Sequence, residues 1–199
     1  PEISQIMISR WAVEGLYVDS YRIPNPQKEC IGDVNTQMEN IKIESIINGI
    51  TKLDTCDSYI KKLEDGNYNP YLIEMTRQKK IQLKVSELLK EDATFFSCET
   101  PSEVELAIVK AIYAYEEILR LEHDGKNIRA GGTWKSIRNR GLVGAIENIV
   151  TTPNDTEGLK KLKNLGMLNL SYEQVVLDHS DSFTEDAIYA AKETLETVN

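Results

Sequence analysis

Cysteine and histidine are scarce in this chain, and their scarcity excludes several kinds of site. The three cysteines, Cys30, Cys56 and Cys98, are odd in number, far apart and without a C-x-x-C spacing, which argues against a disulfide framework or a zinc site. The two histidines, His123 and His179, come without a Gly-x-Ser-x-Gly or Cys–His signature, so nucleophilic hydrolysis has no candidate residues. We therefore expect reduced thiols, no metal ion, no cofactor and no catalytic residue defined by a motif.

Long hydrophobic runs are also missing. The longest apolar runs are only a few residues and too short to span a bilayer, and the N-terminus lacks the basic and apolar regions of a signal peptide. A hydrophobic fraction of 41% and a charged fraction of 28% are ordinary for a globular protein, so wholesale disorder is not expected. Together these features predict a cytoplasmic protein that does not enter the membrane.

Helical periodicity and capping signals dominate what the sequence does contain. In the clearest signal, Thr100 fits the N-cap, Pro101 the first helical position and Glu103 the capping acid of a helix that runs to Asp124. Further helices are predicted over residues 3–18, 35–50, 54–65, 70–90, 133–150, 156–165, 172–179 and 185–198, with N-caps at Thr133, Ser171 and Thr184, a loop over 21–33 and a strand-like fragment over 93–98.

These signals predict an all-α fold, a multi-helix orthogonal bundle with little or no β structure. A composition change near residue 100 permits two lobes, an N-terminal helical lobe over 1–99 and a C-terminal helical lobe over 100–199. One continuous domain is also compatible with the sequence, because no linker separates the two halves.

Positive charge is concentrated in one short segment of an otherwise acidic chain. Residues 125–146 hold five cations and no acid, whereas the whole chain has a formal net charge of −9. We call these five side chains the basic face: Lys126, Arg129, Lys135, Arg138 and Arg140. If a helix begins here, the free N–H groups of its first turn also attract anions. The segment therefore predicts a surface for the phosphates of DNA or RNA.

Two other interpretations of the basic face stay open. Its cations can pair with surplus acids elsewhere in the chain or with an acidic protein partner. A break at Gly141 would give two short helices, similar to a helix-turn-helix, although no recognition signature makes that arrangement specific. Two smaller clusters are predicted to be solvated helix faces: Arg77, Lys79 and Lys80 with Lys84, and Lys160 and Lys161 with Lys163.

Several partial motifs resemble enzyme sites, and each lacks a required element. The sequence from Gly131 to Ser136 has neither the glycine spacing nor the preceding strand of a P-loop. Asp178 and His179, with Asp181 nearby, form a possible acid–base or metal pair that has no third ligand in sequence.

An acidic group near residue 120 has a second resemblance. Glu116, Glu117 and Glu122 with His123 resemble a di-iron site, but position 120 is arginine and the Glu-x-x-His spacing fails. We therefore predict an exposed charged turn there.

Our preferred hypothesis is a non-enzymatic helical subunit or adaptor of a larger cytoplasmic assembly. Its expected partners are other protein subunits and, through the basic face, DNA or RNA. The alternative is an enzyme whose site is assembled from residues distant in sequence around His179 and Asp178, and it requires a concave pocket lined by these groups.

Overall fold

The computed structural model describes residues 30–91, 93–97, 100–152 and 156–198, in which there are eight α-helices and no strand. The helices are α1 (Cys30–Asn48), α2 (Leu53–Asp65), α3 (Pro70–Glu91), α4 (Glu103–Glu122), α5 (Gly131–Thr151), α6 (Glu157–Asn164), α7 (Tyr172–Asp178) and α8 (Glu185–Glu196). Short 3-10 turns lie at Ala93–Phe95, Leu168–Leu170 and Ser180–Ser182. The prediction of an all-α multi-helix bundle is confirmed for the described residues.

The structure changes two of the predicted secondary-structure elements, and a third is not covered by the described residues. The strand-like fragment over 93–98 is wrong where it is described, because Ala93–Phe95 is a 3-10 turn. The loop predicted over 21–33 ends earlier, since α1 already begins at Cys30. The helix predicted over 3–18 lies outside the described residues.

The chain divides into two units, residues 1–39 and residues 40–199. The hydrophobic core and the basic face belong to the second unit. The division into lobes over 1–99 and 100–199 stays a prediction.

Helix α4 occupies the centre of the second unit and packs against α3, α5, α6 and α7. Its inward stripe includes Ile108 and Ile112, which are both fully buried. Burial of each such side chain contributes about 1.5–3 kcal/mol of transfer free energy. Trp134 on α5 is buried against the same cluster, so the start of α5 is fixed to the core by its largest side chain.

The N-terminus of α4 lies two residues later than the sequence predicted. Ser102, not Thr100, is the N-cap, and its hydroxyl accepts the Glu105 N–H in a complete capping box. The Glu105 carboxylate also accepts the Ser97 N–H at 2.8 Å. Both alternatives satisfy the local sequence rule for a capping box, so this tertiary hydrogen bond distinguishes them.

The other predicted caps have mixed outcomes. Ser171 caps α7 as predicted, because its hydroxyl accepts the Gln174 N–H at 3.1 Å. Thr184 is the N-cap residue of α8, but its own N–H donates to Glu147 and its hydroxyl makes no capping bond. Thr133 is not a cap, since α5 already begins at Gly131 with Ala130 as N-cap.

Helix α5 is interrupted at Gly141, which was one of the alternatives that the sequence left open. Gly141 has φ 73° and ψ 175°, a conformation that is essentially restricted to glycine. The interruption separates a basic first half, residues 131–140, from an apolar second half, residues 142–151.

Replacing Gly141 with alanine should lower the free energy of unfolding by about 1–3 kcal/mol, because a side chain strains this backbone conformation. An added Cβ would meet no described heavy atom within 4 Å, so steric overlap does not contribute. Urea unfolding measures the loss.

Gly144→Ala is the matched control for this prediction. Gly144 lies within the second half of α5, and its added Cβ would make an ordinary 3.5 Å contact with Arg140. Alanine is favoured over glycine inside a helix by about 1 kcal/mol, so this variant should gain stability. Equal stability of Gly141→Ala and the parent protein would contradict the strained conformation.

Candidate nucleic-acid interface

The basic face spans the segment before α5 and the first half of that helix. Lys126 and Arg129 lie before the helix, and Lys135, Arg138 and Arg140 lie within it. All five side chains belong to exposed residues. The structure thus leaves all five predicted cations accessible to solvent, two before α5 and three along its first half.

Helical spacing explains why the cations face outward. Trp134 and Ile137 are three residues apart and point into the core, with exposed fractions of 1% and 3%. Lys135 and Arg138 have the same spacing and flank this buried pair, and both residues are exposed, so their charged groups reach solvent.

Internal ion pairing of the basic face receives no support from the described residues. Among the described ranges, none of the five cations has a carboxylate oxygen within 4.0 Å. Arg129 instead lies over the Trp134 ring, 4.9 Å from the ring centre. Cations that are not neutralised within the chain stay available to an external anion.

A buried carboxylate holds the start of α5 in place. Glu116 Oε1 on α4 accepts the Trp134 indole N–H at 2.9 Å and the Ala130 N–H at 3.0 Å. Glu116 is 7% exposed, so loss of these bonds would leave two buried donors without partners. This carboxylate therefore fixes where α5 begins and where the basic face lies.

The prediction of an exposed charged turn at Glu116 and Glu117 is wrong. Glu117 is 2% exposed, and its carboxylate accepts the Lys80 ammonium at 2.9 Å and the Arg120 guanidinium at 2.6 Å. Asp57 on α2 joins the same group, with its Oδ1 2.7 Å from Lys80 Nζ. The ion network ties α2, α3 and α4 together.

The prediction of a solvated face for the cluster at residues 77–84 is also wrong for three members, since Lys84 is half-buried with its ammonium 3.9 Å from Glu116 and two others are buried. Lys80 is 2% exposed and lies in the ion network, and Arg77 is 8% exposed and pairs with Glu64 at 2.8 Å. These cations are neutralised by acids of α2 and α4, so they do not extend the basic face.

The lysine cluster at residues 160–163 is closer to the solvated helix face that was predicted for it. Lys160 and Lys163 are exposed. Lys161 pairs with Glu122 and lies 3.6 Å from Glu157 on the same helix. Exposed pairs of this kind contribute little to stability.

The electrostatics of the ion network follow from its pairing. Burial alone would raise the pKa of Glu117, but hydrogen bonds from Arg120 and the charge of Lys80 outweigh burial and lower it. The pKa of Arg120 rises because its guanidinium donates to Glu117. The network therefore holds Glu117 in its charged form.

Lys84 and Tyr113 lie beside Glu116. Burial, assisted by the charge of Lys80, lowers the pKa of Lys84, whose ammonium is 3.9 Å from Glu116 and 5.3 Å from the Tyr113 ring centre. Burial and Glu116 raise the pKa of Tyr113 to about 12. Both shifts reflect a poorly hydrated environment next to the anchoring carboxylate.

The alternative site around His179 lies elsewhere in the fold. His179 is half-buried at the C-terminal end of α7, and Asp178 accepts a hydrogen bond from Gln174 at 2.8 Å. Asp181 is exposed. None of these three residues lines any of the four main clefts, and no group of three metal-ligating side chains occurs in the described part of the chain.

The join within α5 differs from a helix-turn-helix. Only Gly141 separates the two halves of α5, whereas a helix-turn-helix joins its helices by a turn of about three to four residues. We therefore attribute any nucleic-acid contact to the exposed cations and not to a recognition helix.

Protein-family models, curated protein sequences and solved structures give no match to this chain. Over the described residues, no helix is both long enough and apolar enough to cross a membrane. The function of the chain is therefore inferred from its own geometry and charge.

Proposed function

We propose that this chain is a non-enzymatic helical subunit of a larger cytoplasmic assembly, and that its basic face contacts the phosphates of DNA or RNA. The observation that carries the proposal is the set of five exposed cations without acidic partners among the described residues, in a chain of net charge −9. Acidic proteins that concentrate free cations on one surface attract anionic partners to that surface.

The chemistry of the basic face favours phosphate contacts over base stacking. Trp134 is the aromatic residue of the segment, but it is 1% exposed and Arg129 covers its ring. A base therefore has no access to this ring. Lysine and arginine side chains on the surface of a helix position a protein on the phosphate backbone without reading sequence.

The start of α5 adds to this attraction. The N–H groups in the first turn of a helix have no partner within the helix, and they carry the positive end of its dipole. Gly131 and Gly132 occupy this turn, and a Cβ added at either position would meet no described heavy atom within 4 Å. The Gly131 N–H donates to the Arg129 carbonyl at 2.8 Å, so Gly132 offers the open backbone that a phosphate could approach between Arg129 and Lys135.

A binding panel tests the nucleic-acid part of the proposal. Labelled duplex DNA, single-stranded DNA and RNA, each in two unrelated sequences, are titrated by fluorescence anisotropy at about 50 mM salt. Phosphate contacts predict similar affinities for the two sequences within each class. No binding to any of the six probes would contradict the proposal.

Light scattering tests the assembly part separately. The chain is isolated from its native cells under low-salt conditions and its mass in solution is measured. We expect a mass above that of the 22.6 kDa chain, with defined partner polypeptides. A monodisperse monomer without a partner would contradict the subunit assignment, whatever the binding panel gives.

A further inference from the structure

A cleft among α4 to α8 differs in character from the basic face, although Thr133 in the first turn of α5 lines it. It has a volume of about 640 Å³, within the range of small-molecule sites. Helices α4, α5, α6, α7 and α8 all contribute to its walls. A cleft with walls from five packed helices offers a ligand contacts on several sides.

The inner surface of this cleft combines aliphatic and aromatic groups. Ile149, Leu159 and Leu162 supply the aliphatic part. Tyr115 and Tyr172 supply two rings whose centres are 6.4 Å apart, tilted by 46°. Such a surface favours the apolar body of a ligand, and the faces of the two rings favour positive charge.

The charged groups of the cleft are all acidic. Glu173 and Glu193 line it, and none of its described lining residues is a lysine, arginine or histidine. Glu173 forms no ion pair with the described residues, and burial raises the pKa of its carboxyl. A desolvated carboxylate without a counter-charge is costly, and a bound cation would offset that cost.

A buried hydroxyl adds an unused polar group. The Tyr172 hydroxyl lies beside the Thr133 hydroxyl, but it makes no hydrogen bond of acceptable geometry within the described residues. Buried polar atoms in proteins usually have a partner. This hydroxyl has almost no accessible surface, so it lies behind the wall of the cleft and the tyrosine ring, not the hydroxyl, faces a ligand.

We propose that this cleft binds a small amphipathic organic cation, an ammonium group on an apolar body. The ammonium pairs with Glu173 and lies against the tyrosine rings, while the apolar body contacts Ile149, Leu159 and Leu162. A phosphate or carboxylate ligand is disfavoured, because the cleft offers it two carboxylates and no cation. This inference does not depend on nucleic-acid binding, since the basic face contributes no lining residue.

Three probes of the same size test the proposal by isothermal titration calorimetry at neutral pH. They are 2-phenylethylammonium, the neutral 2-phenylethanol and the anion phenylacetate. We expect saturable binding of the ammonium, with affinity at least about tenfold above that of the alcohol, because a buried charge pair contributes more than about 1.4 kcal/mol. Phenylacetate should not bind.

Variants at two positions separate charge from shape. Glu173→Gln keeps the side-chain volume, removes the carboxylate and should lower the ammonium affinity at least about tenfold without changing the alcohol affinity. Gly158→Met extends a side chain from α6 toward Tyr115, whose ring would lie 3.7 Å from the added Cβ, and it should abolish binding of both probes. Glu185→Gln, an exposed acid of α8 outside the cleft, is the matched control and should change nothing.

Folding of these variants is checked by circular dichroism. Glu173→Gln should unfold at a higher temperature than the parent at neutral pH, because it removes a desolvated charge. The proposal is overturned by equal affinities for the three probes, by unchanged ammonium affinity in Glu173→Gln, or by no ammonium binding at concentrations up to about 10 mM.

Discussion

Reversing four charges of the basic face should abolish nucleic-acid binding and leave the helical content unchanged. The variant carries Arg129→Glu, Lys135→Glu, Arg138→Glu and Arg140→Glu. At about 50 mM salt we expect the affinity to fall at least about 100-fold, because each lost phosphate contact removes its share of counterion release and each new carboxylate repels the backbone. The four side chains are exposed and unpaired among the described residues, so their reversal removes no internal ion pair.

A control with the same change in net charge separates a defined face from general electrostatics. Lys61, Lys62, Lys90 and Lys192 are exposed and lie outside the basic face, and all four are changed to glutamate. This control should keep most of the affinity, since distant charges are screened over about 10 Å. Equal loss in the two variants would mean that net charge, and not the basic face, governs binding.

Glu117→Gln should destabilise the protein by about 3–5 kcal/mol, because it removes the buried carboxylate of the network and leaves two cations to share Asp57. Lys80 is 2% exposed and would keep Asp57 at 2.7 Å, while Arg120 would lose the carboxylate to which it donates and keep Asp57 at 3.6 Å. Urea unfolding followed by circular dichroism measures the loss. A loss below about 1 kcal/mol, the range of an exposed pair, would contradict the role of the network in joining α2, α3 and α4.

Glu122→Gln is the matched control for this prediction. Glu122 also belongs to α4 and pairs with Lys161, but that pair lies at the surface. Exposed pairs are weakened by water and salt, so the loss should be far smaller than for Glu117→Gln.

The effect of Glu117→Gln also depends on pH, with a defined sign. The folded protein lowers the pKa of Glu117, so its charge stabilises the fold above the pKa of an unfolded glutamate, about 4.3. The difference in unfolding free energy between parent and variant should stay constant from about pH 7 to 5 and shrink below about pH 4. A difference that grows on acidification would contradict the charged state of Glu117.

Local patterns were sufficient to predict most of the fold. Helical periodicity identified α3 and α4 to within a few residues, and a glycine in an amphipathic segment marked Gly141 as a possible interruption. Such signals operate within one or two helical turns, so the sequence around them carries the information.

Long-range contacts explain the predictions that were wrong. Glu105 selects Ser102 as N-cap partly through Ser97, and Glu116 sets the start of α5 through the Ala130 N–H and the Trp134 indole. The two partners of Glu116 are 14 and 18 residues away from it in sequence. Sequence patterns that span a single helical turn therefore do not reveal these two partners.

The sequence does contain a signal for the buried ion network: charged residues that lie on the apolar stripes of α3 and α4. Glu116 lies four residues after Ile112 and eight after Ile108, which places its carboxylate on the buried stripe of α4. Lys80 likewise interrupts the apolar pattern of α3 immediately before Ile81, at a position facing the core. A charge on a buried stripe needs a partner, and opposite charges on two such stripes predict a pair.

The placement of the basic face was predicted only in part. The five cations were identified from composition, and the structure adds that they are exposed, that Arg129 covers Trp134 and that their acidic partners are missing among the described residues. The amphipathic-cation cleft was not predicted, because its lining residues are spread over residues 111–194 and form no local motif.

The salt dependence of binding tests the central claim most directly. Anisotropy of labelled duplex DNA is followed with the unmodified chain from about 50 to 200 mM salt. If all five cations contact phosphates, the logarithm of the affinity should fall against the logarithm of salt concentration with a slope of about −4 to −5, a loss of several hundred-fold over this range. A slope near zero, or no binding at about 50 mM salt, would contradict a phosphate-contacting basic face.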